Sequence, residues 1–355
     1  MRRLSTETIT GVFFGDYATA ELMDDVKRLF PVISDGSLSL PVRLPWPLNK
    51  IKVLGFSRSM KAREDFKSII FRVLEELRID RASKDGGSTG GKSAGVLDSL
   101  IEVQQQQMDL EDGQEQTFDD DFIVDNVIAS LFAGIDTTSV TLTRVLQLLA
   151  TADDGDDIVR KLLQELSNAA SNDDDQLDKN TGSGSRGASR AGILASFPLL
   201  DAVILEAFRL HPAVPGVFRT TRKDVSYNGY LIPSGSRIEM NMIHGFRASS
   251  LYDEPKKFCP FRFLHGDKSK DEDNATPERS RGVSSEQPLP PMFGVGRHTC
   301  PGRELAKLEM LLFLKAFLAK FDYELVGGQS FKGVMPSNAP KDKLRVILRT
   351  KTAGS

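Results

Sequence analysis

The chain has 355 residues, 40% hydrophobic and 27% charged, with a formal net charge of −3 at pH 7. This is the composition of a globular protein long enough to bury a large core as one big domain or two, and the small net charge excludes a general electrostatic affinity for nucleic acid. Two cysteines in the whole chain argue against a disulfide framework and fit a reducing compartment.

Residues 1–35 read as helical, with apolar positions at Val12, Phe13, Leu22, Val26 and Leu29. The opening Met1-Arg2-Arg3-Leu4-Ser5-Thr6-Glu7 has no apolar signal region, and no run approaches the roughly eighteen apolar residues that span a bilayer. The chain as written is therefore expected to be soluble, with neither anchor nor signal. Leu40 to Pro47 holds Pro41, Pro45 and Pro47 and must be a loop. Lys61 to Arg78 has helical spacing, with Phe66, Ile69, Ile70, Val73 and Leu77 on one side, and Asp85 to Lys92 is a Gly/Ser linker.

Phe118 to Ala150 is the longest helical candidate, apolar at Phe122, Val127, Leu131, Ile135, Leu142, Leu146 and Leu149 behind an acidic start at Asp119 to Asp121. Val159 to Ala170 is another helix. Ser171 to Arg190 is polar and reads as a disordered insertion. Phe197 to Leu210 is a helix stopped by His211-Pro212. Val225 to Ile238 reads as short strands around Asn228-Gly229, a strong hairpin signal. Gly266 to Gln287 is a second polar insertion, Leu305 to Phe321 an apolar helix, and Leu344 to Leu348 a strand. Helix predominates, with a few short strands and no internal repeat.

Four segments carry chemistry. Ala133-Gly134-Ile135-Asp136-Thr137-Thr138 lies midway along the longest helix. A glycine there costs about 1 kcal/mol against alanine, so it calls for a reason. One reason is room for a small ligand beside an acid and a hydroxyl able to move protons; the other is a kinked core helix with a polar patch. Glu206-Ala207-Phe208-Arg209 sets two opposite charges three apart on one helical face, among apolar residues that suggest burial. A solvated surface pair is the common alternative. Phe258-Cys259-Pro260-Phe261-Arg262-Phe263 supplies an arginine whose planar fork can bridge a carboxylate and backbone carbonyls.

The last segment, Phe293-Gly294-Val295-Gly296-Arg297-His298-Thr299-Cys300-Pro301-Gly302, holds a cysteine in a glycine-rich loop ahead of a helix. The glycines allow tight turns and close approach to a flat ligand. Pro301 suits a first helical turn, and the positive end of the helix favours a thiolate. A buried structural cysteine is the alternative. A match to F-x-x-G-x-[HR]-x-C-x-G arises by chance in about one chain in ten thousand.

These segments, in this order, resemble the cytochrome P-450 (haem-thiolate monooxygenase) family over nearly the whole chain. The resemblance implies a mainly α fold with a small β lobe. It also implies a single domain over 1–355, N-terminally incomplete, with polar insertions at 171–190 and 266–287. The implied cofactor is haem b. Cys300 would be the iron ligand, donating electron density that promotes O–O cleavage. Asp136 and Thr137 would form the proton relay to bound oxygen, and Glu206, Arg209 and Arg262 a structural lock behind the haem. Phe293, Gly296, Gly302, His298 and Arg219 would contact the haem, the last two through its propionates. Arg297 is left open between a propionate contact and a solvent-facing side chain. Val214, Pro215 and Val217 would border the substrate pocket, and Cys259 would be a structural thiol.

The implied reaction inserts one oxygen atom from O2 into a lipophilic substrate. Electrons would come from an NADPH-linked reductase or a ferredoxin. Gly216-Val217-Phe218-Arg219-Thr220 and Lys341-Asp342-Lys343-Leu344-Arg345-Val346 look like the branch acting on retinoids, sterols, carotenoids and triterpenes. No nucleic acid partner is implied. Membrane contact is implied for longer members, at the endoplasmic reticulum or, alternatively, in a plastid. A hydroperoxide isomerase or dehydratase, a non-catalytic haem-binding protein and an inactive fragment are the rival readings. Against the family pattern, Met1 is expected to start within the fold, because the first strands and the W-x-x-x-R helix have no counterpart. Trp46 sits among prolines and does not supply that motif. One haem edge and part of the pocket are then expected to be open to solvent.

Overall fold

The computed structural model describes residues 1–36, 56–82, 93, 95–110, 118–177, 196–264, 292–334 and 338–351. The expected loop at Leu40 to Pro47 with Trp46, the linker Asp85 to Lys92, the insertion Gly266 to Gln287 and residues 178–190 of the other insertion lie outside these. The chain forms two compact units, Met1–Asp136 and Thr137–Ser355.

In the first unit, the expected helix over residues 1–35 is two: α1 (Arg2–Phe14) and α2 (Ala20–Gly36). The break is at Gly15, whose φ of 52° belongs to the left-handed region, and a Cβ there would stand 2.1 Å from the Ser93 carbonyl oxygen. Asp16 N–H donates to that same carbonyl at 2.7 Å. The break is therefore set by a residue far along the chain. α3 (Phe56–Ala82) buries Phe66, Ile70, Val73 and Leu77, as its spacing predicts. α4 (Val96–Leu110), which the sequence reading passes over, buries Leu97 and Ile101.

α5 (Asp120–Thr151) starts where Asp119 Oδ1 accepts the Phe122 N–H at 2.7 Å, an N-terminal cap. Asp120 also accepts Arg78 Nη1 of α3 at 2.7 Å and Gln104 Nε2 of α4 at 3.0 Å, so three helices meet at its first turn. Phe122, expected on the apolar face, is exposed, because it lies in the first turn beside Phe118; Val127, Leu131, Ile135, Leu142, Leu146 and Leu149 are buried. By length and composition α5 alone among the described helices is apolar enough to cross a membrane. It holds no unbroken run of eighteen apolar residues, as the sequence reading expects. The fully buried Arg144, bonded to the Asn338 and Phe331 carbonyls, marks it as the core helix of a folded unit.

In the second unit, α6 (Gly155–Leu177) runs into the segment expected to be an insertion, since Ser171 to Leu177 contains neither glycine nor proline to stop it. Its Glu165 accepts the Leu199 and Leu200 N–H groups at 2.7 and 3.1 Å, capping α7 (Pro198–Leu210) from outside. Burial raises the Glu165 carboxyl against the lowering effect of those two bonds.

Among the described residues four small antiparallel sheets follow. β1 (Gly216–Thr220) pairs with β4 (Arg237–Asn241), and β2 (Val225–Tyr227) with β3 (Tyr230–Ile232). Between β2 and β3, Asn228 and Gly229 have φ of 48° and 81°, the turn their sequence predicts. A single turn, α8 (Met242–Gly245), leads through a loop to the 3₁₀ turn Pro260–Phe263. α9 (Arg303–Lys320) stops one residue before expected, because Phe321 opens strand β5 (Phe321–Leu325). β5 pairs with β8 (Val346–Thr350) from Phe321↔Thr350 to Leu325↔Val346. β8 begins two residues later than expected, because Lys343, with φ of 60°, sits in a turn that ends with its N–H on the Pro340 carbonyl. β6 (Gly333–Val334) and β7 (Ala339–Pro340) make the remaining pair.

Candidate functional site

α7 carries Glu206 and Arg209 one turn apart, both fully buried. Arg209 Nε donates to Glu206 Oε2 at 2.7 Å and Nη2 to Oε1 at 2.8 Å, the bidentate fork that suits guanidinium. The remaining donors go to backbone carbonyls: Nη1 to Phe246 and Pro255 at 2.9 and 2.7 Å, Nη2 to Lys257 at 3.2 Å. Arg262 joins from the Pro260–Phe263 turn, with Nε 3.1 Å from Glu206 Oε1 and Nη1 donating to the Asp253 carbonyl at 3.0 Å. The Cys259 N–H donates to the same Oε1 at 2.9 Å. Glu206, Arg209 and Arg262 are thus one buried cluster that pins the loop from Phe246 to Arg262 onto α7. Burial pushes the Cys259 thiol up, so it stays a thiol, in keeping with a structural place.

Phe208, between Glu206 and Arg209 on α7, links this cluster to the cysteine loop. The Phe208 ring meets the Phe293 ring edge-on at 5.1 Å between centroids. From Phe293 the loop turns at Gly294 and Gly296, with φ of 77° and 62°. At Gly294 a Cβ would stand 2.8 Å from the His298 carbonyl oxygen, so this glycine is required by the turn itself. The loop closes where Cys300 N–H donates to the Phe293 carbonyl at 2.7 Å and Thr299 Oγ1 to the Gly296 carbonyl at 2.8 Å. Cys300 then precedes α9 and is exposed.

Space around the loop decides what it can take. Among the described residues nothing lies within 4 Å of a Cβ built on Gly296, and at Gly302 only the Cys300 sulfur does, at 3.9 Å. Among the described residues, packing leaves this face open beside an exposed thiol, with exposed Arg297 and His298 on the same loop. One soft donor, a glycine face left uncovered by the described residues, an arginine and an imidazole N–H donor fit a flat, anionic, thiolate-ligated group such as haem. Arg219, exposed on β1, donates through Nη1 to the Phe218 carbonyl at 2.8 Å and makes no salt bridge with a described carboxylate. Val214 and Phe218 are exposed beside it.

On α5, Asp136 Oδ2 accepts the Ser34 hydroxyl at 2.6 Å, and Oδ1 lies 3.1 Å from Arg2 Nη2. Thr137 follows directly, its carbonyl accepting the Thr141 hydroxyl at 2.9 Å. The room expected at Gly134 is filled by Ile9 of α1, whose Cγ1 would stand 3.0 Å from an added Cβ. Close helix packing is therefore the reason for this glycine in the structure.

Sequence reasoning missed Ser34 and Arg2, which carry no local signal. It also missed Arg144, flagged only by its place as a lone charge among Val140 to Leu149. Arg144 is pulled down to about 10 by burial and then by Arg247. His211, beyond the end of α7, is pulled down to about 3 by burial, Arg144 and Arg247.

Comparison with known proteins gives a consistent result. The family model described as cytochrome P450 matches residues 1–349. Abscisic acid 8'-hydroxylase 1 of Arabidopsis thaliana is 27% identical over 92% of this chain and 58% of its own length. Beta-amyrin 11-oxidase of Glycyrrhiza uralensis is 26% identical over 96% of this chain and 60% of its own. The chain therefore spans about three fifths of these curated relatives. Among solved structures, retinoic acid-bound cyanobacterial CYP120A1 superposes with a TM-score of 0.71 at 25% identity, covering 99% of this chain and 68% of that one.

Proposed function

The chain belongs to the cytochrome P450 family, and from that membership we propose that it forms the larger part of a haem-dependent monooxygenase acting on a lipophilic isoprenoid. The reaction converts a C–H bond to C–OH. One atom of O2 enters the product, the other leaves as water, and two electrons and two protons are consumed. The observation that carries this reading is the exposed Cys300 at the end of an open glycine loop, braced through Phe293 and Phe208 to the buried Glu206–Arg209 pair.

In this reading Cys300 would ligate the iron of haem b, Arg219 and His298 would hold its propionates, and Phe293, Gly296 and Gly302 would border it. When bound, the haem supplies the redox chemistry of oxygen activation. The chain's own residues supply the rest. The Asp136 carboxylate and Thr137 hydroxyl hold and pass protons. The Glu206–Arg209–Arg262 cluster keeps the loop from Phe246 to Arg262 fixed on the helix that braces the cysteine loop. The isoprenoid class is supported by relatives named for abscisic acid and beta-amyrin and by a neighbour with retinoic acid bound. An NADPH-linked reductase or a ferredoxin would deliver electrons. In this reading the protein would work at the endoplasmic reticulum membrane, with a plastid as the alternative, a location supported by the family resemblance.

Turnover under labelled dioxygen tests this. With haem, NADPH, a reductase and retinoic acid or beta-amyrin as probes, the hydroxylated product carries one ¹⁸O atom from ¹⁸O2. Given a fatty-acid hydroperoxide in their place, rearrangement that takes no label from the gas, with retinoic acid and beta-amyrin left unoxidised, would favour the isomerase reading instead.

A further inference from the structure

We propose that Ser34 and Arg2 are positioning residues that fix the Asp136 carboxylate for proton delivery, an inference that rests on the reading of Asp136 and Thr137 as the relay. Arg2, Ser34 and Asp136 all belong to the unit Met1–Asp136. Asp136 Oδ2 accepts the hydroxyl of Ser34 on α2 at 2.6 Å, while Oδ1 faces Arg2 Nη2 at the start of α1 at 3.1 Å. Each oxygen is thus tied to a different helix, and rotating the carboxylate breaks both contacts at once.

The two partners differ in kind. Ser34 is 8% exposed and the Asp136 side chain 17%, so their bond forms in a shielded place, where it is stronger than at the surface. The Arg2 side chain is 43% exposed, and its contribution is screened by salt. A serine hydroxyl that donates keeps two lone pairs, so Ser34 can accept a proton from a further donor while giving its own to Asp136. Arginine has no acceptor and can only orient. Ser34 therefore extends the relay by one hydroxyl, and Arg2 holds its geometry.

The full chain, labelled with ¹³Cγ-aspartate, provides a readout that needs no turnover. The Asp136 resonance is assigned with Asp136→Asn. It moves in Ser34→Ala, moves less in Arg2→Gln, and returns in Ser34→Thr, which keeps the hydroxyl. In the haem-loaded chain with NADPH, a reductase and retinoic acid as probe, the ratio of product to hydrogen peroxide falls about tenfold in Ser34→Ala, the factor for one charge-assisted hydrogen bond, and recovers in Ser34→Thr. An unmoved resonance in folded Ser34→Ala, or a moved resonance with an unchanged ratio, overturns the proposal and leaves the monooxygenase reading standing. Failure of that reading shows separately: no thiolate-ligated haem forms, while the resonance still responds to Ser34, and the catalytic purpose of the contact is then lost.

Discussion

Arg209 has five N–H donors, and each has an acceptor: the Glu206 carboxylate twice and the carbonyls of Phe246, Pro255 and Lys257. Its loss would leave buried Glu206 with only Arg262 and the Cys259 N–H as partners, both on Oε1, and three carbonyls without their donor. Arg209→Ala is expected to lower stability by about 3–5 kcal/mol in urea denaturation. Arg209→Lys recovers little, because one ammonium cannot span the fork; full recovery with lysine would mean that charge alone holds the cluster. His211 gives a second prediction at this scale. Its folded value, about 3, lies below its ordinary 6.5. Between those values the unfolded chain binds a proton that the fold excludes, so stability falls as pH drops from 6.5 towards 3. Above pH 6.5 the ring is neutral in both states and contributes no pH dependence. The urea midpoint of His211→Gln should therefore fall less over that window; an identical slope would show that other groups set it.

At the scale of elements, α1 and α5 meet at Ile9 and Gly134. Alanine in a helix interior is favoured over glycine by about 1 kcal/mol, yet here the added methyl would press on Ile9 Cγ1 and Cδ1 at 3.0 and 3.1 Å. Gly134→Ala alone is expected to be neutral or destabilising. In an Ile9→Ala background, which empties the space, it should stabilise by about 1 kcal/mol. Equal effects in both backgrounds would show that Ile9 is not the reason for the glycine. The elements also mark what the sequence made legible. Long helices with clean spacing, such as α3 and α5, could be read because their periodicity is local. The break at Gly15 could not, because Ser93 fixes it, nor could the end of α9 at Phe321, where pairing with Thr350 decides in favour of strand.

Over the whole molecule, the motifs in their order identify the family, since each is a short, local pattern. The contacts that give them physical meaning are long-range: Arg262 reaching Glu206, Phe208 meeting Phe293, and Ser34 meeting Asp136. Spacing along the chain offers no sign of the last. Likewise, sequence reasoning left Gly134 open between ligand room and a kinked core helix, whereas the fold packs Ile9 against it. The central claim is that Cys300 is the thiolate ligand of a haem this chain can hold. The absorption spectrum of the purified, haem-loaded chain, reduced and under carbon monoxide, tests it most directly. The expected spectrum shows the red-shifted Soret band of a thiolate-ligated haem, lost in Cys300→Ala while the protein stays folded. A chain that takes up no haem, or a band that survives Cys300→Ala, would contradict it.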